Sequence, residues 1–514
     1  MQNIKHIVYV MFENRSFDHV LGNLYMDPLK PPKQFLPAGT KPVFNGLNTG
    51  SYYNPDRNGN KHYVTKATGT NIPTADPNES YVYVNDQLFG SKQNPLYGTP
   101  PAMMGFYIDY EDNSDDPAQI MECYDQSFLP VINGLAKKFA VSDAYFSSLP
   151  TQTNCNRAFA ATGNSIGVLR RLFSTHQTAM VDNHWWGDEP WDPVEFNGPT
   201  IWNVLNDNGF YTANDWSVFY SNLWLGHGYA GDYCFTQDLF WPSLQADTDH
   251  FLQIDQFFNK CKTGNLPAFS FIEPSWFEKK WTIGYNGNDY HPPGNLPPGE
   301  SFLQALYNAL VNSPCWNNTL FIINFDEHGG TYDHQPPGWG ALPPWKYATD
   351  GTPVPQEFEH GFGFDRFGVR VPLILVSPYV TPGTVFRSNN PTIPFDHTSV
   401  IATVLKHFGI DKSKWQLGSR VANAPTFDFV VNASEPRTDK LDFELNTTGT
   451  KDEDPELNDL QRMIIHRALA RELKKKNYPK DKFIEAYNVV FQNVKTSNQA
   501  FEAVGKLLDL LKQG

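Results

Sequence analysis

The apolar positions of this chain fall into short runs that end abruptly on charged or polar residues. Residues 320–325 are the clearest case: Leu320 to Ile323, continued by Phe325, are too few for an ordinary helix and suit a buried strand. The run stops at Asp326-Glu327-His328, Gly329-Gly330 turns the chain, and a second acid–imidazole pair, Asp333-His334, follows before Pro336-Pro337. Residues 4–12 repeat the texture, a strand rich in β-branched residues that ends on Glu13-Asn14-Arg15-Ser16. Further strands are predicted at 140–146, 209–212, 267–273 and 373–378. Helical spacing appears over 129–139, from Arg157 onward, around Ile201 to Leu205, over 301–312, and from Asp396-His397-Thr398 to about Phe408. Strands alternating with helices of this length predict βαβ units and an α/β fold with a mainly parallel sheet sandwiched by helices.

Two regions break the alternation. Residues 28–118 show no clear period and many Pro, Gly, Asn and Tyr, which marks a long functional loop insertion. From about Glu435 the texture becomes polar, most so at 448–454. Two charged helical segments follow, near 455–476 and 480–512. The expected division is a catalytic domain over 1–435 and a linker with a helical C-terminal appendage over 436–514.

Composition narrows the function. The net charge of −15 over 514 residues argues against a nucleic-acid partner, which needs a basic patch. No run of 18 apolar residues exists, so no transmembrane segment is expected, although transient contact with a membrane surface is compatible with the many aromatic loops. The first residues show no leader pattern, which points to the cytoplasm, or to a secreted or periplasmic location if the chain is a mature form. Five scattered cysteines give neither thiolate-metal spacing nor a disulfide framework.

Two carboxylates and an imidazole at the end of a buried strand are costly unless they find a cation or neutralise. The C-terminal edge of an open α/β sheet is also where ligands bind. In Pro150-Thr151-Gln152-Thr153-Asn154-Cys155-Asn156-Arg157, Thr153 stands at a strand-to-helix turn. There, helix N–H groups stabilise an anion and a metal can lower the pKa of a hydroxyl. Taken alone, Thr153 also suits a helix cap. Arg157, one turn later, suits bidentate contact with phosphate oxygens.

These segments, together with Asp289-Tyr290-His291-Pro292 and Asp365-Arg366-Phe367-Gly368-Val369-Arg370-Val371-Pro372, occur in the order found in a known family. They resemble the phosphoesterase family of bacterial and plant phospholipases C and an acid phosphatase, across roughly residues 4–410. The resemblance implies an alkaline-phosphatase-like core. It implies that Glu13, Asn14, Asp326 and Glu327 hold a divalent metal, zinc or calcium, with the oxygen of Thr153 as a further ligand. It implies Thr153 as nucleophile, His291 beside the phosphate as proton donor, and Asn156, Arg157 and His334 as substrate contacts. Three departures bear on substrate preference. Asn85-Asp86-Gln87 stands nearest the place of a family His, Met103-Met104-Gly105-Phe106 replaces the common Met-Asp-Gly-Phe, and Pro293-Gly294-Asn295 takes the place of a second His. The expected activity is a metal-dependent phosphoesterase working through a phosphothreonine, most simply a phospholipase C on phospholipid diesters. The alternatives are an acid phosphatase acting on small phosphate esters and a catalytically lapsed binding module. The oligomeric state is open.

Overall fold

The two acid-terminated runs lie side by side in the middle of a nine-stranded sheet. The computed structural model describes residues 1–47, 52–171, 174–184, 195–224, 230–277, 287–345, 354–390, 392–445 and 456–513. The sheet strands in chain order are β1 (His6–Phe12), β2 (Gln34–Leu36), β3 (Ala140–Ser142), β4 (Trp216–Tyr220) and β5 (Phe251–Gln253). They continue with β6 (Phe269–Ile272), β7 (Thr319–Phe325), β8 (Leu373–Val376) and β9 (Thr384–Phe386). Their spatial order is β5-β4-β6-β1-β7-β8-β3-β9-β2. β8 runs antiparallel to both neighbours, and the other pairs are parallel. The fold is mixed α/β with a mostly parallel central sheet.

β1 from Ile7 onward and all of β7 are buried on both faces, which is why they read as continuous apolar runs rather than alternating ones. Each fully buried Val, Ile or Phe there contributes about 1.5–3 kcal/mol. The helices that matter for the site are α1 (Phe17–Leu21), α2 (Tyr81–Phe89), α3 (Thr153–Thr162), α4 (Pro297–Val311), α5 (His397–His407) and α6 (Asp459–Lys475). The apolar core runs on without a break into α6 through Leu460, Met463 and Ile464. A buried ion pair, Arg467 Nε to Asp238 Oδ2 at 2.5 Å, pins the same helix.

Four local expectations are corrected. The strand expected at 209–212 lies at β4 instead: Gly209 adopts a φ of 95°, and Thr212 closes a turn by donating both its N–H and its hydroxyl to Asp215 Oδ2. The second C-terminal helix is two helices, Lys480–Phe491 and Ser497–Gln513. Arg462 takes the carbonyls of Val494 and Lys495, and Lys495 O also accepts from Leu457 N, so the chain between them cannot stay helical. Residues 28–118 carry elements of their own, including α2, around a satellite core of Val84, Leu88, Phe106 and Tyr110. The helix expected from Arg157 begins four residues earlier, at Thr153. The most polar part of the expected linker, 448–454, lies outside the described residues.

Glu300 on α4 ties three elements together. It accepts from Val131 N (2.6 Å), Ile132 N (3.1 Å) and the Tyr290 hydroxyl (2.7 Å). Burial lifts its carboxyl to about 7 from the ordinary 4.5. A folded state that holds the proton more tightly than the unfolded one is favoured below pH 4.5, and that advantage is lost as pH rises through 7. Stability should therefore fall across this window by up to about 1.4 kcal/mol per pH unit, and Glu300→Gln should flatten the fall. Urea midpoints at pH 5 and pH 7 check it; an identical wild-type–variant difference at both would exclude Glu300 as the titrating group.

Candidate active site

Parallel register places the first acids. Phe12 pairs with Phe325, so Glu13 and Asp326 leave the sheet as neighbours, and Asp326 N donates to Phe12 O at 3.1 Å. Asn14 then adopts a left-handed φ of 52°, tolerated best by Asn among side chains longer than Gly, and its N–H donates to Asp326 Oδ1 at 3.2 Å. The chain after Glu327 passes hard against this turn. A Cβ on Gly329 would stand 2.2 Å from Asn14 O, and one on Gly330 would stand 2.6 Å from Asn78 O, so both glycines are required by close approach. Glu327 is held by its Oε2 accepting from Gly329 N at 2.7 Å.

Thr153 is the first residue of α3, with Gln152 as cap. Its hydroxyl donates to Glu13 Oε2 at 3.1 Å and lies 3.4 Å from Asn14 Oδ1. The expectation that it caps the helix is therefore not met; the hydroxyl faces the acids. Neighbouring side chains hold the turn. Asn156 Nδ2 donates to the carbonyls of Leu149, Thr151 and Gln152, and Asn183 Oδ1 accepts from Asn154 N.

The centre sets three buried acids against two basic groups. Glu13, Asp326 and Glu327 are fully buried, with Arg157 and His291 as their basic neighbours. Arg157 Nε donates to Glu13 Oε1 at 2.8 Å and lies 3.3 Å from Asp326 Oδ2, and its plane faces the Trp276 ring at 5.3 Å. Burial pushes the Glu13 carboxyl well up despite Arg157, and lifts Glu327 to about 8. Asp326 Oδ2 and Glu327 Oε1 are buried and accept no hydrogen bond. Paired carboxylates with orphaned oxygens beside an amide oxygen and a hydroxyl are a donor set of hard oxygens, and a divalent cation fits it. Glu13, Asn14, Thr153, Asp326 and Glu327 are the residues that would hold it.

His291 completes the group. Its Nε2 lies 3.0 Å from Asn14 Nδ2 and 3.4 Å from both Asp76 Oδ1 and Glu79 Oε1, and its Nδ1 stands 3.8 Å from Glu13 Oε2. Burial opposes a charge on this ring, but the two acids outweigh it and hold the imidazolium well above its usual range.

Three expected substrate contacts are otherwise engaged. Asn156 spends its amide on the turn before Thr153, as its carbonyl also accepts from Leu149 N. Arg157 lies beneath the acids as their counter-ion and also donates to Met11 O. His334 belongs to a separate buried network: Nδ1 meets Asp18 Oδ2 at 2.5 Å, Nε2 meets Asn45 Oδ1, and Arg370 joins Asp18 and Asp333 at 2.9 and 3.0 Å. The acid-rich loop that carries His334 gives no local sign of these partners, since Asp18 and Asn45 come from distant segments of the chain.

Sequence reasoning missed Asp76, Glu79 and Asp459. The first two sit in the aperiodic insertion, in Asp76-Pro77-Asn78-Glu79, where no period marks a strand end. Asp459 starts α6, and its N–H donates to Asp76 Oδ2 at 3.0 Å. Together with Gln152 and Arg462 these acids line a cavity of about 320 Å³ beside the nucleophile's turn. Gln87 and His328 pair with each other at 2.8 Å rather than entering the site.

The profile of the phosphoesterase family matches residues 4–411. The chain belongs to that family. It is a phosphoric ester hydrolase by family, and its relatives agree. Non-specific phospholipase C3 of Arabidopsis thaliana is 32% identical over 487 residues, covering 90% of this chain and 82% of its own. Non-specific phospholipase C1 of the same plant is 31% identical, covering 98% and 86%. Hemolytic phospholipase C of Pseudomonas aeruginosa is 24% identical over 80% of this chain and 53% of its own. A solved alkaline phosphatase superfamily protein from Vibrio parahaemolyticus aligns at a TM-score of 0.28 and 10% identity, over 80% of this chain and 93% of its own. Among the described residues no helix is long and apolar enough to cross a membrane.

Proposed function

We propose that this phosphoesterase is a phospholipase C that cleaves phospholipid diesters through a phosphothreonine on Thr153. The observation that carries the reading is the Thr153 hydroxyl at the start of α3, aimed at Glu13 and Asn14 beside the orphaned oxygens of Asp326 and Glu327. Glu13, Asn14, Asp326 and Glu327 would hold a divalent cation, which when bound would supply Lewis acidity and lower the pKa of the Thr153 hydroxyl. Glu13, 3.1 Å away, accepts the hydroxyl proton and orients the lone pair for in-line attack. The N-terminal end of α3 favours the anion that forms. His291 presents Nδ1 toward the same space and is placed to give a proton to the leaving alcohol. Water then hydrolyses the phosphothreonine with the roles reversed.

Of the two ester classes the diester is the one we favour, and Asp76, Glu79 and Asp459 line the mouth it would enter. The names of the relatives support the same choice. The test is hydrolysis of para-nitrophenyl phosphorylcholine against para-nitrophenyl phosphate, with and without chelator. Faster diester cleavage, abolished by chelation and restored by added metal, is expected. Faster monoester cleavage would make the protein a phosphatase with the same centre, and turnover of neither would return it to a binding role.

A further inference from the structure

Asp76, Glu79 and His291 bring three metal-ligating atoms within 4.8 Å of one another, on the opposite side of Asn14 from Thr153. Each carboxylate has one oxygen held and one free. Asp76 Oδ2 accepts from Asp459 N, and Glu79 Oε2 accepts from Asn14 Nδ2 at 2.6 Å. Their other oxygens, Asp76 Oδ1 and Glu79 Oε1, are buried with no hydrogen-bond partner, and both stand 3.4 Å from His291 Nε2. Glu79 is 5% exposed and His291 1%, so water does not satisfy them. Donors held from behind, with free atoms converging, are how proteins orient ligands for a metal.

We propose that Asp76, Glu79 and His291 form a second divalent-cation site, of zinc type, beside the one assigned to Glu13, Asn14, Asp326 and Glu327. A tetrahedral zinc with bonds near 2.05 Å spaces its donors roughly 3.3 Å apart, which the two 3.4 Å separations match. A cation would take the place of the proton on His291 Nε2 and use that nitrogen's single lone pair, so Asn14 Nδ2, 3.0 Å away, would keep Glu79 Oε2 as its acceptor at 2.6 Å. One imidazole and two carboxylates would leave a fourth position for water or substrate, the pattern of a catalytic rather than a closed structural zinc. The ring then carries its proton on Nδ1, the nitrogen that faces Glu13, so the site presents a fixed donor to the leaving oxygen. The proposal rests on the metal-dependent reading above for its role, and on its own residues for its existence.

Equilibrium dialysis of the chelator-stripped full chain against zinc, with the bound metal counted by atomic emission, tests it. Two equivalents are expected for wild type. Asp76→Asn and Glu79→Gln should each drop the count to one, and Asp326→Asn should also leave one. Asp76 is at the rim, its side chain 23% exposed, so Asp76→Asn decides the matter if Glu79→Gln fails to fold. One equivalent in wild type that survives Asp76→Asn and is lost with Asp326→Asn overturns the second site and leaves the proposed function standing. A second equivalent lost with His360→Ala instead assigns it to the separate Asp182, Glu359 and His360 cluster and overturns the proposal equally. No bound zinc in wild type overturns it together with a zinc-dependent form of the proposed function.

Discussion

Thr153→Ala is expected to lower diester turnover by roughly 10⁴-fold or more, the scale seen when a covalent nucleophile is deleted. The melting temperature should stay close to wild type, since the helix cap is Gln152 and the turn is held by Asn156 and Asn183 rather than by the hydroxyl. Thr153→Ser keeps an oxygen at the same place and should retain measurable turnover. Acid quenching during turnover should trap phosphate on wild type and on the serine variant, and none on alanine. Full activity in Thr153→Ala would end the nucleophile assignment, whatever the metal requirement proves to be.

Arg157→Met is expected to cost about 3–5 kcal/mol in chelator, because it strips the guanidinium from Glu13 and Asp326 and leaves two buried carboxylates unpaired. Adding a divalent cation should recover most of that loss, since the cation answers the same charge. Chemical denaturation with and without metal measures both quantities. If the variant keeps wild-type stability and only KM rises, Arg157 is a phosphate contact after all and its inward posture changes when substrate arrives.

The acids legible in the sequence were those that ended a buried run. Glu13 and Asp326 follow strands whose apolar pattern fixes where they stop, and parallel register does the rest. Thr153 was marked by its strand-to-helix turn and His291 only by the family resemblance, and both reach that group. What stayed hidden depended on contacts between distant segments. Asp76 and Glu79 sit in a stretch without a period, and nothing local shows that Asp459, almost 400 positions later, orients one of them. Arg157 and Asn156 are the right residue types for phosphate, but burial directed one to the carboxylates and the other to backbone carbonyls. The strand expected at 209–212 failed for a simpler reason: a short aromatic run resembled a strand, while Asp215 closed a turn that local composition did not reveal.

The docking of α6 against Asp76 has a consequence for biosynthesis. The catalytic acids span positions 13 to 327, yet the rim needs the N–H of Asp459. A chain still attached to the ribosome can assemble its sheet and its nucleophile well before residue 459 has left the exit tunnel. Its mouth would then be missing one wall and its first rim carboxylate would lack its backbone donor. Emergence of the last helices would thus act as a natural delay between the appearance of the fold and the appearance of full activity. Such a delay would hold back ester hydrolysis by unfinished chains.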